Sequence, residues 1–120
     1  MTSTAFQWRV FRADLNPVVG SEQAGTRPVL VVSREAINRS LPIVAVLPLT
    51  THRPGRRIYA TEVLLRAGVA GQPEDSVVMA HQVRTISTRR LKEAYGDLVA
   101  PELRDAVRRA MQIFLDIEID

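Results

Sequence analysis

Apolar, β-branched runs alternate with short polar segments that contain glycine or proline along most of this chain. Runs of this length, bounded by turn residues, are typical of β-strands. The pattern predicts strands at Trp8–Leu15, Pro28–Val32, Pro42–Leu49, Tyr59–Leu65, Ser76–Ala80 and Asp97–Val99. The second and third runs are apolar almost throughout, which indicates buried central strands, although Pro48 predicts an edge position or a bulge. In the first strand, Trp8, Val10 and Leu15 are expected to face inward, and Arg9 and Arg12 outward.

Helical periodicity is strongest after Pro101, which suits the first position of a closing helix. Its apolar stripe at 3.6-residue spacing is Leu103, Ala106, Val107, Ala110, Met111 and Phe114. Ala100 is a poor N-cap, so this helix must depend on packing. Two short helices are also predicted, one at 34–38 capped by Ser33, and one capped by Ser87 or Thr88 that ends at Gly96. The chain is therefore expected to be one domain over residues 1–120, α+β but mainly β, with a small, strongly bent antiparallel sheet or barrel.

The segment from Asn16 to Pro28 is the most unusual connector in the chain. Turn chemistry explains its glycines and prolines, but a carboxylate, an amide, a hydroxyl and a guanidinium also crowd into it. A connector this long in a small domain is typically functional or disordered. Strands on both sides and a proline at its exit favour a functional loop.

The composition is that of an ordinary globular protein, at 46% hydrophobic and 24% charged residues. No apolar run has the length of a membrane span, and Met1–Phe6 does not have the pattern of a signal peptide. The chain has no cysteine, which excludes disulfides and thiolate metal sites. We therefore expect a cytoplasmic protein that makes no contact with a membrane.

The formal net charge is only +3, but of 16 basic residues all except Lys92 are arginine. Three acidic residues, Asp116, Glu118 and Asp120, lie in the last five positions and leave the preceding body more basic. Arginine binds phosphate in a bidentate manner and stacks on bases, so this bias fits a nucleic-acid partner. A solvated basic surface explains the same composition, and composition alone does not separate the two interpretations.

The residues available for catalysis exclude several mechanisms. The chain contains two histidines, His52 and His81, far apart in sequence and without a nearby pair of carboxylates, so neither a metal site nor a cofactor is expected. No serine lies on a strand-to-helix elbow, and neither a P-loop nor a dinucleotide fingerprint is present. Cleavage of RNA by its own 2′-hydroxyl remains possible, because the substrate supplies the nucleophile and the protein supplies charge and positioning.

The segment Asp14–Ser33, with its run Gly20-Ser21-Glu22-Gln23-Ala24-Gly25-Thr26-Arg27-Pro28, closely resembles the signature of the MazF/PemK toxins. Further matches follow in the same order: Asn38, Pro48-Leu49-Thr50, Asp75-Ser76-Val77-Val78, Gln82-Val83-Arg84-Thr85-Ile86, Arg90-Leu91 and Pro101-Glu102-Leu103. The resemblance extends over residues 10–115. It implies an SH3-like barrel with a C-terminal helix, and a homodimer that binds a cognate antitoxin. It also implies a metal-independent endoribonuclease that cleaves single-stranded RNA (mRNA) at short motifs.

The resemblance also implies roles for single residues. Arg27 stabilises the phosphorane and protonates the leaving oxygen, Thr50 holds a phosphoryl oxygen, and Glu22 acts in catalysis or in RNA contact. The residues at positions where relatives touch RNA are Ser21, Asn38, Ser76, His81 and Gln82. Structural interpretations stay open, with Arg27 tying the loop to the sheet, Thr50 ending a strand and Glu22 stabilising the loop. Arg84, on an apolar strand, is expected to be structural.

Two departures from the family pattern bear on function. Trp8-Arg9 replaces the glycine-acidic pair that usually opens the first strand, and His81 stands where relatives often have an acidic residue. Two rival functions remain from sequence alone: a toxin of the same fold that poisons a protein target such as gyrase, and a non-catalytic nucleic-acid-binding module. Retention of Arg27 and Thr50 favours the nuclease over both.

Overall fold

A computed structural model describes residues 5–118 of the chain. Within them the elements are β1 (Arg9–Asp14), β2 (Thr26–Val31), α1 (Glu35–Ser40), β3 (Ile43–Thr51), β4 (Glu62–Leu65), β5 (Ser76–Met79), β6 (Arg84–Ser87), β7 (Leu91–Asp97) and α2 (Pro101–Leu115), with 3-10 turns at Ala80–Gln82 and Thr88–Arg90. Most of the N-terminal stretch examined for a signal peptide, and the last acidic residue, Asp120, lie outside the described residues.

All strand pairs in this range are antiparallel, and the sheet order is β4-β5-β3-β2-β1-β7, with β6 also paired to β3. The nine-residue strand β3 pairs with β2 on one side; on the other it pairs first with β6, up to Val46, and then with β5, from Leu49. This change of neighbour bends the sheet into an open barrel. Pro48, predicted at an edge or a bulge, lies instead in a central strand, in the gap between these two partners, where a missing N–H breaks no ladder.

Alternate residues of the central strands are buried on opposite faces of the sheet. Val29, Val31, Val44 and Val46 belong to one cluster with Phe11 and Leu15, whereas Leu30, Leu47 and Leu49 belong to a second cluster with Val107 and Ala110 of α2. Burial on both faces explains why these runs are apolar throughout. The predicted α+β, mainly β class, with bent antiparallel strands, short helices and a C-terminal helix, is confirmed.

The helix predicted to end at Gly96 is wrong. Ser87 does accept a hydrogen bond from the Arg89 N–H at 3.1 Å, but it caps only a 3-10 turn, and residues 91–97 form β7 rather than a helix followed by a separate last strand. Helix-forming residues are overridden here because β1 needs a partner. Arg9–Asp97 and Arg12–Glu93 ion pairs, at 2.8 and 2.6 Å, join the two strands.

Three smaller corrections concern local contacts. Ser33 does not cap α1; its Oγ accepts the Ala45 N–H at 2.9 Å and donates to Asn38 Oδ1, so it joins α1 to β3. Strand β4 begins at Glu62 and not at Tyr59, where it was predicted to begin. The residues before Glu62 form a turn, which is closed by a hydrogen bond from the Glu62 N–H to the Tyr59 carbonyl. Phe114, at the end of the predicted apolar stripe, is 46% exposed, since α2 extends there beyond the sheet.

Trp8 has a φ of 67°, in the left-handed region that favours glycine. The residue is nevertheless only 6% exposed, and the guanidinium groups of Arg104 and Arg108 lie 5.3 and 5.0 Å from the centroid of its ring. Ring burial and two cation–π contacts offset the backbone cost. The predicted inward position of Trp8 is confirmed, and it links the start of β1 to α2.

Candidate active site

A cleft of about 370 Å³ lies where β2, β3 and β5 meet the connector between β4 and β5. Its polar lining includes two of the predicted catalytic residues. The lining residues are Thr26, Arg27, Pro28, Leu49, Thr50, Thr51, Arg53, Gln72, Pro73, Glu74 and Ser76. A cleft of this size accommodates one nucleotide unit.

Arg27 is half-buried at the start of β2. Its Nε donates to the Ala24 carbonyl at 3.1 Å and its Nη1 donates to the Leu49 carbonyl at 3.3 Å. Burial lowers the pKa of Arg27 from its ordinary value. Among the described residues, no carboxylate forms an ion pair with it, so the site holds a positioned cation whose charge is not neutralised by the protein.

Thr50 lies opposite Arg27 in the sheet. The β2–β3 register pairs Val29 with Pro48, and continuing it by two residues places Arg27 across from Thr50 on the same face. Within residues 5–118, the Thr50 hydroxyl has no hydrogen-bond partner. A free donor therefore stands beside a guanidinium, a combination that suits a phosphoryl oxygen.

Ser76 lines the same cleft but is 6% exposed. Its hydroxyl donates to the Glu74 carbonyl at 2.8 Å, which fixes the turn before β5. Ser76 is thus brought to the predicted catalytic residues, with its hydroxyl already engaged.

Glu22, His81 and Gln82 line a separate cavity of about 180 Å³ with Gln23, Pro48, Val83 and Arg84. Gln82 accepts the Gln23 N–H and donates to the Ser21 carbonyl, both at 3.2 Å, and so holds the tip of the β1–β2 loop. Glu22 is exposed and accepts the Val19 N–H within that loop. The structure does not place Glu22 in the cleft with Arg27 and Thr50.

His81 contacts Thr61 through its Nδ1, 3.2 Å from the hydroxyl oxygen, at the start of the 3-10 turn. Its half-buried ring also lines the second cavity. This cavity includes Pro48 and the first cleft begins at Leu49, so the two sites adjoin along β3.

Asn38 lies in neither cavity. It is 3% exposed, and its amide donates to the Ser33 carbonyl at 2.9 Å while its oxygen accepts the Ser33 hydroxyl. The side chain stabilises the α1 turn. Its predicted RNA contact stays a prediction that these contacts do not favour.

Two arginines that sequence reasoning left outside the site hold the base of the β1–β2 loop. Arg84 Nη1 donates to the Leu15 carbonyl at 3.0 Å and Arg90 Nη1 to the Asp14 carbonyl at 3.2 Å. The expectation that Arg84 is structural agrees with this contact. Thr51 and Glu74 of the cleft were missed, because no local pattern brings Glu74, in the β4–β5 connector, to Thr51 at the end of β3.

Residues 5–118 contain no group of three or more His, Asp or Glu side chains arranged to hold a metal ion. In the same range, no helix is both long and apolar enough to span a membrane.

Comparison with known proteins gives matches over most of the chain. The family model described as PemK-like, MazF-like toxin of type II toxin-antitoxin system matches residues 6–115. The endoribonuclease EndoA of Bacillus subtilis is 41% identical over 106 residues, 88% of this chain and 90% of that protein. The endoribonuclease MazF of Staphylococcus saprophyticus is 34% identical over 108 residues, 90% of this chain and 88% of that protein.

Solved structures agree with these matches. The Mycobacterium tuberculosis toxin MazF-mt6 superposes with a TM-score of 0.74 at 28% identity, covering 92% of this chain and 99% of that chain. An endoribonuclease in complex with its cognate antitoxin from a mycobacterial species gives a TM-score of 0.76 at 25% identity, covering 96% and 98%.

Proposed function

Because the chain belongs to the PemK-like, MazF-like family of type II toxins, we propose that it is an endoribonuclease that cleaves single-stranded RNA at short motifs. The proposal takes residues 1–120 as a single toxin domain. The observation that carries it is the half-buried guanidinium of Arg27, without a carboxylate partner in the described chain, opposite the free hydroxyl of Thr50 in a nucleotide-sized cleft.

The reaction needs neither a protein nucleophile nor a metal. The 2′-oxygen of the RNA attacks the adjacent phosphorus, the bond from phosphorus to the 5′-oxygen breaks, and a cyclic phosphate and a 5′-hydroxyl result. Arg27 stabilises the negative charge that develops on the phosphorane, and it protonates the leaving oxygen. Its lowered pKa makes this proton transfer easier than from an exposed arginine. Thr50 donates a hydrogen bond to a phosphoryl oxygen.

We propose that the second cavity binds the nucleobase next to the cleaved bond. His81, Gln82 and the loop residue Glu22 present donors and acceptors there, and Ser21 adjoins them through its carbonyl, which accepts a hydrogen bond from Gln82. We assign Glu22 to this cavity and to the loop rather than to the reacting phosphate. Since the imidazole of His81 lines this cavity, we propose that it takes part in selecting the nucleobase.

The partners proposed for the chain are a cognate antitoxin and a second copy of itself, acting in the cytoplasm. A complex of a similar endoribonuclease with its antitoxin supports the first partner. Exposed apolar side chains at the end of α2 and just after it, Ile113, Phe114, Leu115 and Ile117, offer apolar surface to such partners. Gel filtration at micromolar concentration is expected to give a dimer, and a strict monomer would contradict that part of the proposal.

The function is tested by incubating the purified protein with single-stranded RNA in EDTA and analysing the product ends. Cleavage to cyclic phosphate and 5′-hydroxyl ends is expected, and a single 2′-deoxy substitution at the cleaved position should abolish it. Cleavage that EDTA prevents would contradict metal independence. Binding without cleavage would favour the nucleic-acid-binding module, and inhibition of gyrase without cleavage would favour a protein-directed toxin.

A further inference from the structure

The cleft contains a carboxylate for which neither the family pattern nor the proposed function provides a role. Glu74 lines the cleft together with Arg27 and Thr50, whereas Glu22 lines the other cavity. We infer that Glu74 is the general base that takes the proton from the attacking 2′-hydroxyl. The inference rests on the proposed function and assigns one step of it.

The surroundings of Glu74 distinguish it from most other carboxylates of the described chain. Six of them pair with an arginine: Glu35, Glu62, Asp75, Glu93, Asp97 and Asp105. Glu74 instead accepts a hydrogen bond from the neutral Thr51 hydroxyl, 2.9 Å from its Oε2. An arginine partner would stabilise the charged form and weaken the base, whereas a single hydroxyl orients the carboxylate and leaves Oε1 for substrate.

The backbone of Glu74 is held in place. Its carbonyl accepts hydrogen bonds from the Ser76 hydroxyl at 2.8 Å and from Nε2 of Gln72, a residue that is 1% exposed. These contacts hold the backbone, and the Thr51 hydrogen bond orients the exposed side chain at the rim of the cleft. A general base must be positioned in this way to reach one particular proton.

The charge of the cleft agrees with this assignment. Its lining has two guanidinium groups, of Arg27 and Arg53, and one carboxylate, of Glu74, so one positive charge remains. A phosphodiester carries one negative charge, and it can enter without removing the base. Two cations around one anion favour the extra charge that the phosphorane acquires.

The proton and electron balance is complete within this set. The 2′-oxygen gives its proton to Glu74 as it forms the bond to phosphorus. The electron pair of the breaking bond goes to the 5′-oxygen, which takes a proton from Arg27. Glu74 and Arg27 then exchange one proton through solvent and return to their starting states.

The test compares Glu74→Gln with the unaltered protein in single-turnover cleavage of RNA in EDTA. We expect kcat/KM to fall about 100-fold or more, with little change in KM and in Tm. The acidic limb of the pH–rate profile should disappear. The difference in cleavage rate between the variant and the unaltered protein should become smaller towards high pH, where hydroxide replaces the general base. Glu93→Gln is the matched control, since Glu93 lines neither cavity, and its cleavage rate should be unchanged.

Other charged groups near Glu74 are Arg27 and Arg53 in the cleft, and His52, Asp75 and Arg66 beside it. A His52→Asn variant should retain the acidic limb, which separates a carboxylate from the histidine. Thr51 is a positioning residue in this scheme. Thr51→Val should lower kcat by roughly 10-fold with little change in KM, because the carboxylate loses the donor that orients it, and Thr51→Ser should restore kcat.

Each remaining outcome is decisive. If the unaltered protein cleaves RNA and Glu74→Gln cleaves it with the same rate and pH profile, Glu74 is not the base, while the proposed function stands. If the acidic limb is lost in Glu22→Gln instead, the base is Glu22. If Glu74→Gln changes the cleavage motif but keeps the rate and the acidic limb, Glu74 recognises a nucleobase and does not accept the proton. If the unaltered protein does not cleave RNA, the proposed function and this inference both fail.

Discussion

The guanidinium of Arg27 donates from Nη1 to the backbone carbonyl of Leu49 across 3.3 Å. Leu49 immediately precedes Thr50, so the contact ties the end of the β1–β2 loop to the strand that carries the second catalytic candidate. Arg27 therefore has a structural contact and a proposed catalytic role at once. The two alternatives that the sequence leaves open for this residue are compatible.

Replacement of Arg27 separates these two roles. We expect Arg27→Ala and Arg27→Lys to lower kcat/KM for RNA cleavage by about 100- to 1,000-fold, because lysine keeps the charge but not the planar fork of donors. The loss of Tm should be small, since only two hydrogen bonds are lost, an exposed one of 3.1 Å to the Ala24 carbonyl and a part-buried one of 3.3 Å to the Leu49 carbonyl beside the cleft. Arg89→Lys, an exposed arginine outside both cavities, is the control. Near-normal cleavage by Arg27→Lys would contradict the assigned role.

The hydroxyl of Thr50 is testable without changing side-chain volume. Thr50→Val should lower the cleavage rate by roughly 10-fold, because a donor to the phosphoryl oxygen is lost, and Thr50→Ser should recover most of it. Stability should not fall, since that hydroxyl bonds to no described protein group. Thr85→Val makes the same change at an exposed position of β6 and serves as the control. A large decrease in Tm for Thr50→Val alone would show that its role is structural.

Much of the fold follows from the apolar pattern, because strands buried on both faces, such as β2 and β3, must be apolar throughout. The strand β7 could not be predicted in this way. Its sequence, Leu-Lys-Glu-Ala-Tyr-Gly-Asp, favours a helix, and only pairing with β1 and the ion pairs to Arg9 and Arg12 make it a strand. Such long-range compensation leaves no local signal.

The candidate site likewise contains some residues that could be predicted from the sequence and others that only the folded chain brings together. Arg27 and Thr50 were accessible because the motifs that resemble the toxin family include both positions. Glu74 was not, because it lies in a connector whose position depends on Gln72 and Gly71 rather than on its own neighbours. The separation of Glu22 from the cleft depends on how Gln82 holds the loop, 59 residues away from Gln23 in sequence.

The ion pair between Arg56 and Glu62 provides a pH-dependent test of stability. Arg56 binds both carboxylate oxygens, at 3.1 and 2.7 Å, and the Glu62 side chain is 1% exposed. Burial alone would raise the pKa of Glu62, but hydrogen bonds from Arg56 and from the Tyr59 N–H outweigh it, and the pKa lies below its ordinary value. The stabilisation is therefore fully present above the ordinary carboxyl pKa, and it is lost as the pH falls through the lowered value.

We expect Arg56→Met to lower the free energy of unfolding by about 1–3 kcal/mol at pH 7, because a buried carboxylate loses its partner. The difference from the unaltered protein should shrink as the pH falls through the lowered pKa of Glu62. Denaturant unfolding at several pH values measures both. Arg12→Met breaks an exposed pair with Glu93 and should change stability little at any pH. An equal loss of unfolding free energy in Arg56→Met and Arg12→Met would contradict the conclusion that burial makes the Arg56–Glu62 pair more important for stability.

Gly71 sets the position of the connector that carries Gln72 and Glu74, because this connector packs against β7 at Gly71. Its φ is 81°, and a Cβ built on it would lie 2.2 Å from the Tyr95 carbonyl oxygen. Gly68, with a φ of 85°, has open space around the same position. A Gly68→Ala variant should therefore lose only about 1 kcal/mol, from its left-handed backbone. Gly71→Ala should lose a further 1–3 kcal/mol or so from steric overlap.

The two alanine variants should also differ in activity below their unfolding temperatures. In Gly71→Ala the connector must move away from Tyr95, which displaces Glu74 from the rim of the cleft, so RNA cleavage should fall by roughly 10-fold or more. In Gly68→Ala the backbone stays on β7, and cleavage should be unchanged. Measurements of stability and of single-turnover rates on both variants distinguish the effect of displacing the connector from β7 from the effect of backbone strain at a positive φ. Equal activity of the two would mean that the position of the connector does not govern the cleft.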